Sequence, residues 1–199
     1  MSLKHAILGL LRSQPLSGYE LKTQHFDPGV AHFWTADQAQ IYRTLDQLRE
    51  QGLVEEELVV QQDRPNKKNY RLTPEGEAEL VQWLATRQKE PPLREPFLVQ
   101  VFFGDALEKP ELLQVLRDKL EERRQVLAAL KAIEVPEPAE PSLIVTLRGS
   151  TRDLGVAYEH VAIRWLEDLI TRVEGLPERA WRKPALSGAR QARQSRPGR

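Results

Sequence analysis

The spacing of apolar residues changes character several times along the first ninety positions, and each change predicts an element. Leu3, Ile7, Leu8, Leu10 and Leu11 fall at helical intervals and predict an apolar helix of about three turns, halted at Gln14 and Pro15. Ser17 with Glu20 three residues on has the spacing of a capping box. It restarts a helix expected to reach about Gln24, before Asp27, Pro28 and Gly29 break it. Thr35 and Gln38 repeat the start signal. Ile41, Leu45 and Leu48 then recur on one face as far as Gly52, a residue suited to the positive φ of a helix C-terminus, while Gln40, Arg43, Gln47 and Glu50 occupy the opposite face.

After Gly52 the period shortens to that of strands. Residues 53–62, with Leu58, Val59 and Val60, and residues 67–72, with Tyr70 and Leu72 on one face, predict a hairpin with its tip at 63–67. Thr73 followed by Pro74 is an N-cap with proline at the first helical position, where its missing N–H leaves no helical bond unmade. The helix that follows carries Leu80, Val81, Trp83 and Leu84 and ends before Pro91 and Pro92. Three helices, a hairpin and a fourth helix in about ninety residues make the layout of a winged helix-turn-helix.

Farther on, residues 111–133 place Leu112, Leu116, Leu120, Leu127 and Leu130 on one stripe, interrupted by Arg123. Beyond Pro136, Pro138 and Pro141 a last helix bears Leu154, Tyr158, Val161, Trp165 and Leu169. Both stripes expose too much apolar surface for lone helices in water, so they are expected to pack on each other and on a second copy. The expected fold is therefore mostly α with a small β-hairpin wing. Residues 1–90 form a winged helix-turn-helix domain, 91–178 a helical dimerisation domain, and 179–199 a tail.

Composition narrows the function. A chain of 199 residues, 40% of them hydrophobic, can bury a core unaided. It has no apolar run long enough to cross a bilayer, and its first residues lack the parts of a secretory signal, so a cytoplasmic location without membrane contact is expected. Cysteine is absent, which excludes disulfides and thiol chemistry. His5, His25, His32 and His160 include no i, i+4 pair, and no phosphate loop, nucleophile elbow or paired-carboxylate motif occurs. Neither a metal, a cofactor nor an enzymatic activity is expected. Basic and acidic residues balance at 29 each, but seven of the basic ones lie from Arg179 onward with no acid among them. The body thus keeps 22 basic against all 29 acidic residues, and the tail is expected to be disordered, either a DNA-touching arm or a solvated end.

Five segments in order resemble the PadR-like transcriptional regulators: residues 6–11 (AILGLL), 16–21 (LSGYEL), 40–48 (QIYRTLDQL), 52–54 (GLV) and 64–76 (RPNKKNYRLTPEG). The resemblance covers residues 3–85, and the following helices are similar to the larger subgroup with a helical dimerisation domain. It implies a homodimeric repressor that binds double-stranded DNA at a pseudo-palindromic operator.

The candidate DNA-binding residues follow from this layout. An α-helix fits the major groove, where arginine pairs with guanine and glutamine with adenine, which singles out Gln38, Gln40, Tyr42 and Arg43. Tyr42 would either donate to a phosphate or cover the core. Arg64, Asn66, Lys67 and Lys68 form a basic cluster where a wing meets the backbone. Ser17 and Tyr19, at the start of the second helix, could meet a phosphate. Trp83, Phe97, Phe102, Phe103 and Trp165 either line a pocket for a small aromatic effector, as the resemblance suggests, or serve as core and dimer packing. Another class of function fits the same layout: a winged domain that contacts protein and not DNA.

Overall fold

The computed structural model describes residues 2–59, 67–89, 92–135 and 140–181. Arg64, Asn66 and the basic tail from residue 182 onward lie outside them. The chain divides into two compact units, Met1–Pro91 with Leu127–Tyr158, and Pro92–Val126 with Glu159–Arg199.

In the first unit, α1 (Ser2–Leu11) is followed by a short strand β1 (Leu16–Ser17) and by α2 (Gly18–Glu20), which continues as a π-helix over Leu21–Val30. The reading-helix candidate α3 (Gln38–Glu50), the hairpin β2 (Val54–Val59) and β3 (Lys67–Leu72), and α4 (Pro74–Ala85) complete the winged layout. Ile7, Leu8, Leu21, Phe26, Ile41, Leu45, Leu48 and Val54 are almost wholly buried in one core.

Several local signals act as their chemistry requires. The Ser17 hydroxyl accepts the Glu20 N–H while the Glu20 carboxylate accepts the Ser17 N–H, and Thr73 caps α4 ahead of Pro74. Gly52 takes a φ of 70° just past α3. The start of α3 differs from the expected Thr35 and Gln38. Asp37 is the cap: its carboxylate accepts the Gln40 N–H at 2.7 Å, and Gln40 Oε1 accepts the Asp37 N–H at 3.0 Å. The preceding Ala36 is buried in the same core as Ile41, a hydrophobic staple that fixes the entry of the chain two residues later than expected.

The second helix also departs from expectation, because Asp27, Pro28 and Gly29 do not break it. The chain turns on to Val30 in the wider π geometry, closed by the Ala31 N–H on the Phe26 carbonyl at 2.7 Å. Proline inside an α-helix collides with the carbonyl four residues back, and a wider turn moves that carbonyl aside. The sheet, too, has a third strand. β1 pairs antiparallel with β3, Leu16 opposite Tyr70 and Ser17 opposite Asn69, giving the order β1-β3-β2.

The second unit contains α5 (Pro96–Phe102), which the sequence pattern did not announce, and parts of two long helices, α6 (Lys109–Ala132) and α7 (Leu143–Glu174). Leu112, Leu113, Leu116 and Leu120 pack with Phe97, Leu166, Ile170 and Val173. Arg123, the interruption in the α6 stripe, is accounted for by Glu159 of α7. The two meet at 3.2 Å, and the Glu159 side chain is almost fully buried. Arg124 with Glu167 and Arg117 with Glu174 continue the pairing toward the end of α7.

Candidate nucleic-acid interface

The exposed face of α3 follows from its buried one. Ile41, Leu45 and Leu48 have no more than 1% of their surface exposed, which turns Gln38, Gln40, Arg43 and Gln47 to solvent. Arg43 has no carboxylate partner among the described residues, so its guanidinium is free for a ligand. Gln38 is likewise exposed. Gln40 is divided: its Oε1 caps the helix, and its amide nitrogen remains available.

Tyr42 packs with its ring against the second helix and stays partly exposed. Its ring covers Gly18 at the start of α2, leaving the side chain 37% exposed. Tyr19 stands well exposed beside it in sequence, whereas Ser17 is buried and spends both its hydroxyl and its amide on Glu20. Ser17 therefore shapes the helix start and presents no group to a ligand.

The wing base is a network of opposite charges. Lys67 Nζ reaches Glu20 Oε1 at 2.6 Å, and Lys68 Nζ reaches Glu56 Oε1 at 2.8 Å. Glu56 also takes Arg49 of α3 at 2.8 Å, so this carboxylate ties α3 to the wing. Its carboxyl is held below the ordinary range, first by the Lys68 hydrogen bond and further by Arg49. Glu20 and Glu56 are the residues that sequence reading missed. Glutamates in a strand and a cap carry no signal of a distant lysine.

The five aromatic residues fall into separate settings. Trp83 stacks on His5 with ring centroids 4.3 Å apart, joining α4 to α1. Phe97 and Trp165 meet edge to face at 6.3 Å in the second unit. Phe102 and Phe103 pair with each other and are exposed.

Comparison with known proteins follows the same lines. Residues 7–82 match the PadR-like transcriptional regulator family, and residues 93–174 match the C-terminal region of virulence activator alpha. The chain is 31% identical over 183 residues to the negative transcriptional regulator PadR of Bacillus subtilis, covering 86% of this chain and 97% of the relative. The structure of B. subtilis PadR in complex with operator DNA aligns with a TM-score of 0.76 at 28% identity, over 87% of this chain and 99% of the other. B. subtilis PadR in complex with p-coumaric acid aligns at 0.70 with the same identity and coverage. With a helix-turn-helix, a wing and a helical second region matched along most of its length, the chain belongs to the PadR-like family of transcriptional regulators, DNA-binding proteins that are not enzymes.

Proposed function

We propose that this regulator is a cytoplasmic homodimeric repressor that places two copies of α3 in successive major grooves of a pseudo-palindromic operator and competes there with polymerase. The observation that carries the reading is the exposed face of α3, with Arg43 unpaired, beside a wing whose second strand opens with Lys67 and Lys68. Gln38, Gln40 and Arg43 supply base contacts, and Tyr19 and Lys68 supply backbone contacts. The B. subtilis relative is a negative regulator, and its solved complex contains operator DNA, which supports repression here.

Dimerisation rests on surface that the single chain leaves uncovered. Leu154, Tyr158 and Val161 of α7 are each more than half exposed, and so are Val99, Phe102 and Phe103 in and after α5. Apolar patches of that kind mark subunit contacts. A small aromatic effector is part of the proposal, since a relative is known with p-coumaric acid bound. Phe97 and Trp165 are its candidates, because Trp83 is occupied by His5 and Phe102 with Phe103 falls to the subunit contact.

The test is a gel shift of the full-length protein with DNA from upstream of its own coding sequence. A discrete complex that survives excess unrelated duplex is expected. Binding no tighter than to unrelated duplex would turn the wing and α3 into a protein-contact surface.

A further inference from the structure

One carboxylate in the winged unit holds three donors. Glu20 Oε2 accepts from the Ser17 N–H and the Ser17 hydroxyl, both at 2.9 Å, and Oε1 accepts from Lys67 Nζ at 2.6 Å. Lys67 opens β3, at the base of the wing. Burial acts to raise the Glu20 carboxyl. The Lys67 hydrogen bond and the two Ser17 donors outweigh it and hold the group below its ordinary range, so it is charged at neutral pH.

An exposed ion pair gains little, largely because two flexible side chains must be held in one geometry. Here the acidic partner is already fixed by the helix cap, so only the lysine has to be ordered. The neighbouring Lys68 differs. Its side chain is 55% exposed against 29% for Lys67, and its partner Glu56 is divided between it and Arg49, whereas Lys67 is the one cation paired with Glu20 among the described residues.

We propose that Glu20 is a positioning residue that withholds Lys67 from the DNA backbone, lowering affinity for all sequences alike and reducing its dependence on salt. The proposal rests on the reading that α3 and the wing bind DNA. A lysine paired in this way releases no counterion on binding. A phosphate that captured it would leave the Glu20 carboxylate uncompensated beside a polyanion.

The experiment measures binding against salt concentration for the full-length protein, on its own upstream duplex and on a scrambled duplex. Wild type is compared with Glu20→Gln, Lys67→Gln and the double variant. Glutamine at position 20 keeps an oxygen for the Ser17 N–H and loses the charge. Lys67→Gln is expected to leave the salt slope as in wild type. Glu20→Gln is expected to steepen it by about one on both duplexes, a roughly three- to fourfold larger loss between 50 and 200 mM salt. In the double variant the slope returns to that of wild type.

A slope that becomes shallower by one in Lys67→Gln overturns the proposal, and that variant leaves the Ser17 cap untouched should Glu20→Gln fail to fold. An unchanged slope in folded Glu20→Gln, or an equal steepening in the Lys67→Gln background, overturns it as well. Failure of the underlying reading is distinct: wild type would then bind neither duplex, or Arg43→Ala would leave binding to the upstream duplex unchanged.

Discussion

Gly18 and Tyr42 are in such close contact that a Cβ added to the glycine would stand 2.6 Å from the tyrosine Cε1. This contact sets how near the start of α2 comes to α3. Tyr42 is partly exposed, so its ring can swing outward. Gly18→Ala is expected to fold with a loss of about 1 to 3 kcal/mol and to weaken DNA binding through a shifted α3. Thermal melting combined with a binding titration checks this. In Gly18→Ala/Tyr42→Ala most of the lost stability should return.

Gly76→Ala should be far more damaging, because the obstacle is backbone. A Cβ at Gly76 would lie 2.1 Å from the Leu53 carbonyl oxygen, and that carbonyl accepts the Thr73 N–H. The expected loss is about 3 kcal/mol or more, or roughly 6 to 12 °C in melting temperature. A variant that melts within 2 °C of wild type would contradict the packing described for the wing and α4.

Arg43→Ala should lose about 1 to 3 kcal/mol of specific binding, the usual worth of a bidentate base contact, with the melting temperature unchanged. Competition titrations against unrelated duplex separate the two contributions. Equal weakening on both duplexes would reassign Arg43 to the phosphate backbone.

Sedimentation should report twice 22.9 kDa at micromolar concentration without ligand. Tyr158 and Val161 are about two-thirds exposed on α7, and Tyr158→Glu/Val161→Glu should shift the equilibrium toward monomer while α-helical circular dichroism is retained. A clean wild-type monomer would remove the palindromic operator along with the dimer.

Glu79 ties α4 to α1 through Lys4 at 2.8 Å and His5 at 3.3 Å. The Lys4 hydrogen bond, then that of His5, lowers its carboxyl below the ordinary 4.5. With the folded value below the unfolded one, the folded state binds fewer protons. The stabilisation is therefore present above about pH 4.5 and is lost as pH falls through the folded value. The difference in melting between wild type and Glu79→Gln should be full above about pH 4.5 and shrink as pH falls below it. A difference that does not change with falling pH would assign the effect to packing.

Much of the fold is written in short-range patterns. Ser17 with Glu20, Thr73 with Pro74, and Gly52 after the last apolar turn of α3 are each settled within a few residues, by one hydrogen bond or one backbone preference, and all three stand in the structure. The exposed face of α3 was equally legible, since three buried apolar residues at helical spacing leave no other face for Arg43.

What required the tertiary structure joins residues far apart in the chain. β1 consists of two residues, too few to carry a strand period, and exists because Leu16 and Ser17 lie against Tyr70 and Asn69. The choice of Asp37 over Thr35 as cap depended on Ala36 reaching the core, and the passage of the helix through Pro28 on the packing of Phe26. Arg123 read as a flaw in an apolar stripe until Glu159 met it from α7, and Lys67 read as a free cation until Glu20 met it from α2. Periodicity records which face of an element is buried. Which charge stands opposite is decided only when the elements pack, because a side chain's partner can come from any part of the chain that the core brings near.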